Sequence, residues 1–355
     1  MKKVLTLSIA TLFIFLASGI VANINADEWT EKVVADKKFE INKNAKLVVD
    51  HEFGNVRCKN WNQNSISVKV TVKAKTKDAK KVQEIIDRVI VDVDGSKDNV
   101  TVECGLGNKN EKNKSINVTI DIDIYMPSTI NLSLEHKFGT AFVESVSGPT
   151  KISSEYGSIE IGSLSNSDNE LEVMFGEAQI NSINKCKLEI SYSQLKIQDS
   201  KDLSIESEYS DMSIDNSNSI KFELESGNVA LGNVNKLDVE STFSNLEVLS
   251  LAESFKSEME YGALEIKNVN KGFAFISIEN THGTVALNVS KSGSFKFAVE
   301  GEFLSFNYPK EYTSISEKSE NNFETTIKGV VGKESNPTSV IKIESVYGSV
   351  NFIAK

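Results

Sequence analysis

Few residues in this 355-residue chain are spaced for chemistry, and the most regular of them are carboxylates. Glu172, Glu189, Glu206, Glu223, Glu240, Glu258 and Glu279 recur at intervals of 17 to 21 residues, and Glu135 and Ser153 hold the same place upstream. Stacked one above another, such side chains repel. Solvent, a divalent cation such as Ca2+ or a lysine-rich partner surface would relieve the repulsion. A solvated polar face is the plainer reading of the column, and weak cation binding or docking of a basic partner is the functional one.

The other reactive types are sparse. Cys58, Cys104 and Cys186 lack the CxxC or Cys/His spacing of a zinc site. A Cys58–Cys104 disulfide in an oxidising compartment and three small buried thiols both fit. His51 and His136 occupy equal places in "DHEFG" and "EHKFG", so repetition explains them better than metal ligation does. His282 replaces an aromatic and is expected as a core substitute. No cofactor and no catalytic residue are expected, since GxSxG, HExxH and Cys/His arrangements are all missing. "DVDGSKDN" reads as a hairpin turn; its glycine comes too early for a calcium loop. A net charge of −11 with only Arg57 and Arg88 as arginines leaves no footprint for nucleic acid.

The elements that position these residues come from one repeated phrase. Phe138, Tyr156, Phe175, Tyr192, Tyr209, Ser226, Phe243, Tyr261 and His282 follow at intervals of 18, 19, 17, 17, 17, 17, 18 and 21 residues, each before a glycine or serine. Apolar residues stand four and often two places before this position, as Leu188 and Ile190 do before Tyr192. They stand three and five places after it, as Leu195 and Ile197 do. Alternation over five residues is a short strand with one buried face. Turn residues such as those of "NSINK" fill the remainder. Repetition at this period is the mark of a solenoid.

The expected fold is therefore all-β: a parallel β-solenoid of about 17–21-residue two-strand rungs, its handedness right by the crossover rule. Like residues then fall above like, and the aromatics are expected to stack inside the tube. Residues 38 to 136 hold longer alternating runs and one amphipathic helix in "KDAKKVQEIIDR", with Val82, Ile85 and Ile86 on one face. The expected organisation is a signal peptide over 1–26, a β-rich N-terminal cap with the helix over 27–130, solenoid repeats over 131–293 and a C-terminal β cap over 294–355. The caps are expected to be antiparallel. The signal peptide rests on Lys2 and Lys3, the apolar run Val4 to Ala22 and small residues at Ala22 and Ala26, either of which could precede cleavage.

The segments "KLVVDHEFGNVRCKNWNQNSISVKV" and "IKIESVYGSVNFI", with the chain of aromatic–glycine rungs between them, resemble the toastrack family of exported, adhesin-like bacterial β-solenoids. The resemblance spans about residue 38 to the C-terminus. It implies a non-enzymatic protein of the periplasm or cell surface, sometimes tied to envelope-stress signalling, and supplies no catalytic residues. The expected function is a non-catalytic envelope or surface interaction module with an envelope or membrane protein as partner. No membrane span is expected after signal cleavage. An extracytoplasmic component of a stress-sensing pathway and a polysaccharide-acting β-helix enzyme are the alternatives.

Overall fold

The computed structural model describes residues 29–75, 79–107 and 118–355; the expected signal peptide lies outside them. Twenty-four strands join in one hydrogen-bonded sheet, with a single short α-helix among the described residues. The fold is the expected all-β solenoid.

Its middle is a run of parallel rungs. Glu177–Ser191, Gln194–Glu208, Asp211–Leu224, Gly227–Thr242 and Ser244–Glu260 pair successively in register, with one shift of a residue between Val234 and Lys236 in the last pair. The pairing places Leu188, Ile205, Phe222 and Val239 in one buried column and Ile180, Ile197, Ile214 and Leu231 in another. A single rung would leave both columns wet. Stacking removes them from water, at roughly 1.5–3 kcal/mol for each large aliphatic side chain.

These rungs differ from the expected two strands and two turns. Glu177–Ser191 runs unbroken through "NSIN", and only single residues drop out of the ladder, between Ile180↔Ile197, Ser182↔Asp199 and the pairs beyond. Asparagines support the bend from outside: Asn233 Nδ2 donates to Asn216 Oδ1 at 3.0 Å and Asn235 Nδ2 to Asn218 Oδ1 at 3.2 Å. The chain turns without leaving the sheet. Earlier rungs do divide at this bend, as between Ser158–Leu164 and Asn169–Met174.

At the N-terminal end the elements are β1 (Trp29–Glu40), β2 (Lys46–Asn60), β3 (Ser65–Lys75), α1 (Ala79–Ile86), β4 (Val89–Gly95), β5 (Asn99–Leu106), β6 (Val118–Met126) and β7 (Asn131–Val146). Strand β2 is a complete rung lying parallel to β7, with His51 over His136 and Gly54 over Gly139. The pairs β1–β3, β3–β6 and β4–β5 are antiparallel. The "DVDGSKDN" hairpin closes between β4 and β5, where the Ser96 amide donates to Asn99 O at 2.7 Å. Val82 buries the apolar face of α1.

At the other end the stack leaves chain order. The closing copy, Val340–Val346 and Ser349–Ala354, lies directly on Phe275–Thr281 and Thr284–Val289. Phe295–Glu302 pairs on the far side of that copy, and Glu324–Val331 covers it antiparallel. The sheet's last open edge is thus turned into a short hairpin with Thr313–Glu320.

The suggested Cys58–Cys104 bridge does not form. All three cysteines are free and buried. Cys104 pairs opposite His51, before the corner at Phe53–Gly54, and Cys58 follows that corner beside Val143. Burial pushes the Cys58 thiol up to about 12, and burial aided by Glu103 and Asp50 does the same for Cys104. Both are packing residues rather than nucleophiles.

Candidate interaction surface

The aromatics do not line the tube. Tyr156, Phe175, Tyr192, Tyr209, Phe243 and Tyr261 are all exposed, and His282 stands among them rather than in the core. The reason is a slip in parity. Inward positions fall at even offsets before the corner and at odd offsets after it, so one residue must break the alternation. The aromatic does so by adopting left-handed backbone, with φ between 47° and 64° from Phe53 to Tyr347. Its side chain swings outward and the following small residue takes the inner place.

That inner place is tight. A Cβ on Gly139 would lie 1.8 Å from Gly54 O, one rung away. Where serine replaces glycine, its hydroxyl replaces lost backbone contacts. Ser193 Oγ donates to Ser191 O at 2.7 Å and accepts from the Gly176 amide at 3.0 Å. Ser210 Oγ likewise donates to Glu208 O at 2.8 Å and accepts from the Ser193 amide at 3.0 Å. The Ser193 and Ser210 hydroxyls are thereby satisfied.

Outside, the rings form a face-to-face ladder. Phe53, Phe138, Tyr156, Phe175, Tyr192 and Tyr209 stack with centroids 5.0–5.4 Å apart. Phe243, Tyr261, His282, Tyr347 and Phe303 make a second run at 4.7–5.0 Å. Sequence reading missed Phe303, because "EFLSF" has no small residue after the aromatic and its rung lies out of chain order. Left-handed backbone costs a non-glycine residue roughly 1–2 kcal/mol, and a stacked aromatic pair returns about 0.5–1.5 kcal/mol. The two nearly cancel. Tyr192→Ala, which keeps the strain and loses both stacks, is expected to cost about 1–2 kcal/mol in urea unfolding. Tyr192→Gly, which relieves the strain, is expected to cost less.

Beside the rings runs the glutamate column, and its members are brought together as their spacing predicts. Glu172, Glu189, Glu206, Glu223, Glu240, Glu258 and Glu279 stand opposite one another in consecutive rungs, and Glu344 and Glu300 continue the line. The chain supplies its own cations. Lys187 Nζ bridges Glu189 at 2.9 Å and Glu206 at 3.2 Å, Lys221 reaches Glu223 at 2.8 Å, and Lys342 reaches Glu344 at 2.6 Å. Lys221 holds the Glu223 carboxyl below its ordinary range. The signal was present in "KLE", "KFE" and "KIE", where lysine shares the outward parity two residues upstream. Among the described residues no three metal-ligating side chains converge on one point. We expect millimolar calcium to leave the melting temperature unchanged; a rise of several degrees would show a site on this column.

His51 and His136 are stacked rings inside the first two rungs, 5.2 Å apart and nearly parallel. His51 Nε2 lies 2.6 Å from Ile120 O, so it carries the proton and donates there. Its bare Nδ1 then accepts from His136 Nδ1, 3.1 Å away. His136 Nε2 is buried without a partner. Burial drives the His51 pKa down to about 4, and burial also lowers His136. Nearby Asp121 would be raised by its burial. Hydrogen bonds from Lys73 Nζ, the Asn55 amide and the Asn55 side chain outweigh this and hold it low.

No family model matches the chain, and no curated protein does. Among solved structures it is similar to a candidate cell adhesion protein from Clostridium sporogenes, 11% identical, with 92% of this chain and 100% of that one covered and a TM-score of 0.20. Candidate adhesins from Bacteroides fragilis and Parabacteroides merdae are 10% and 9% identical, each covering 92% of this chain and 98% and 96% of their own, with TM-scores of 0.27 and 0.40.

Proposed function

We propose that this protein is an exported, non-catalytic interaction module that docks a partner protein along the aromatic ladder and its acidic flank. One observation carries the reading. A bulky ring occupies strained left-handed backbone at corner after corner, where glycine would fit more cheaply, and each ring is left about half exposed. Stacking roughly cancels the strain, so the arrangement returns little stability. What remains is a long apolar strip with carboxylates beside it, the kind of surface that marks a contact site.

A glycoside-cleaving alternative needs a carboxylic acid held above its ordinary pKa beside a second carboxylate. Among the described residues no helix is long and apolar enough to cross a membrane.

Protease shaving of intact cells tests surface exposure, and co-purification with a membrane regulator would place the module in a sensing pathway instead. Release of sugars from purified envelope glycans by the protein would sink the non-catalytic reading.

A further inference from the structure

The ladder has one break, and the break has the form of a seat. Ser226 stands where the rung between Tyr209 and Phe243 should carry a ring. The corner there is built differently. Ser226 lacks the left-handed backbone of the aromatic positions, although Gly227 keeps the φ of +147° that Gly139 has after Phe138. The Ser210 amide donates to Ser226 O at 3.2 Å, and the Glu225 amide donates to Ser207 O at 3.0 Å. This rung brings no ring to the ladder. With strands about 4.8 Å apart, the faces of Tyr209 and Phe243 are separated by two rung steps, or about 10 Å. A flat group inserted midway would sit about 5 Å from each ring, the spacing the ladder keeps elsewhere. Phe243, bordering the break, is 60% exposed, more than any other ring of the ladder.

The charge around the break selects the group. Glu206, Glu208, Glu223, Glu225 and Glu240 line one flank, and Asp211 stands on the other. Glu206 and Glu223 hold Lys187 and Lys221. Glu208, Glu225 and Glu240 hold no lysine among the described residues, and Tyr209 Oη donates to Glu225 Oε1 at 3.1 Å. A planar, cationic, weakly hydrated group that stacks on aromatic faces and pairs with carboxylates is a guanidinium; an ammonium is compact and has no flat face.

Resting on the docking reading above, we propose that the break at Ser226 seats an arginine side chain of a basic partner protein between Tyr209 and Phe243, with Glu225 accepting its N–H groups. The remaining ladder provides contact area, and the break sets the register of the partner along the solenoid.

The test is equilibrium binding of an acetylated arginine–glycine pentapeptide and its lysine counterpart to the full chain. The arginine peptide is expected to bind about fivefold tighter than the lysine one. Phe243→Ala and Glu225→Gln are each expected to weaken it by a similar factor, with Gln198→Ala, exposed on the opposite bend and off the ladder, unchanged. Glu225→Gln alters one exposed atom and so keeps the test valid if the ring variant unfolds. Equal binding of the two peptides, indifference to Glu225→Gln and Phe243→Ala, or no saturable binding would each overturn the seat. Binding that is lost in Tyr156→Ala but kept in Phe243→Ala would overturn the seat while leaving the wider docking surface in place.

Discussion

Phe255→Ala is expected to cost about 3–5 kcal/mol of unfolding free energy, the range for removing a fully enclosed ring. Phe255 is 0% exposed and lies between Leu237 of the preceding rung and Ile276 of the next, so neither neighbour can slide in without breaking its own register. The cavity would interrupt the apolar column that runs through Leu203, Ile220, Leu237, Phe255, Ile276 and Ile341. Because each rung touches only its neighbours, the damage should centre on rungs 227–289, which hydrogen exchange would resolve. Phe243→Ala, one corner away and 60% exposed, is the matched control and should cost about 1 kcal/mol or less. Similar losses in the two variants would contradict the placement of the ladder outside the tube.

Acid is expected to weaken the N-terminal end through His51. Its folded pKa of about 4 lies below the ordinary 6.5, so the folded state favours the neutral ring. Above pH 6.5 both states are neutral and the full stability is present. As pH falls from 6.5 towards 4 the unfolded chain binds a proton that the folded chain refuses. Stability drops by about 3 kcal/mol across that window and levels off below it. His136, also lowered, acts in the same direction. Asp121 is held low and begins to lose its contribution only below the ordinary carboxylate range, beneath most of this window. Lys73, raised by Asp121 and Glu31, stays charged throughout. Urea midpoints at pH 7.5, 6, 5 and 4 for the native chain and His51→Gln would measure the effect. The native chain should lose more between pH 6.5 and 4; parallel curves would contradict the assignment.

Much of this was legible in the residues. The Leu188–Ile190 and Leu195–Ile197 pairs fix strands, their recurrence fixes stacking, and the interval between glutamates places the column on one face. The direction of the rings was legible too, although a uniform alternation hides it. Ile190 and Leu195 both point inward yet stand five positions apart, an odd interval, so the alternation must slip, and the small Ser193 is the residue that fits inside. Two features lie beyond such counting. The stack of 340–354 between 275–289 and 295–307 depends on which open edge a distant segment reaches, a tertiary choice with no local signature. The His51–His136 hydrogen bond needs two rungs 85 residues apart to meet directly, which follows only once the excursion over β3 to β6 is known to leave the stack.

The central claim is that the aromatic edge is where this molecule meets its partner. A photo-reactive amino acid placed in living cells at Tyr192 on the ladder, and separately at exposed Lys201 on the opposite bend, tests it most directly. The expected result is one defined protein adduct from position 192, recovered again from position 261 and missing from position 201. Adducts of equal yield at 192 and 201, or adducts at 201 alone, would contradict the account.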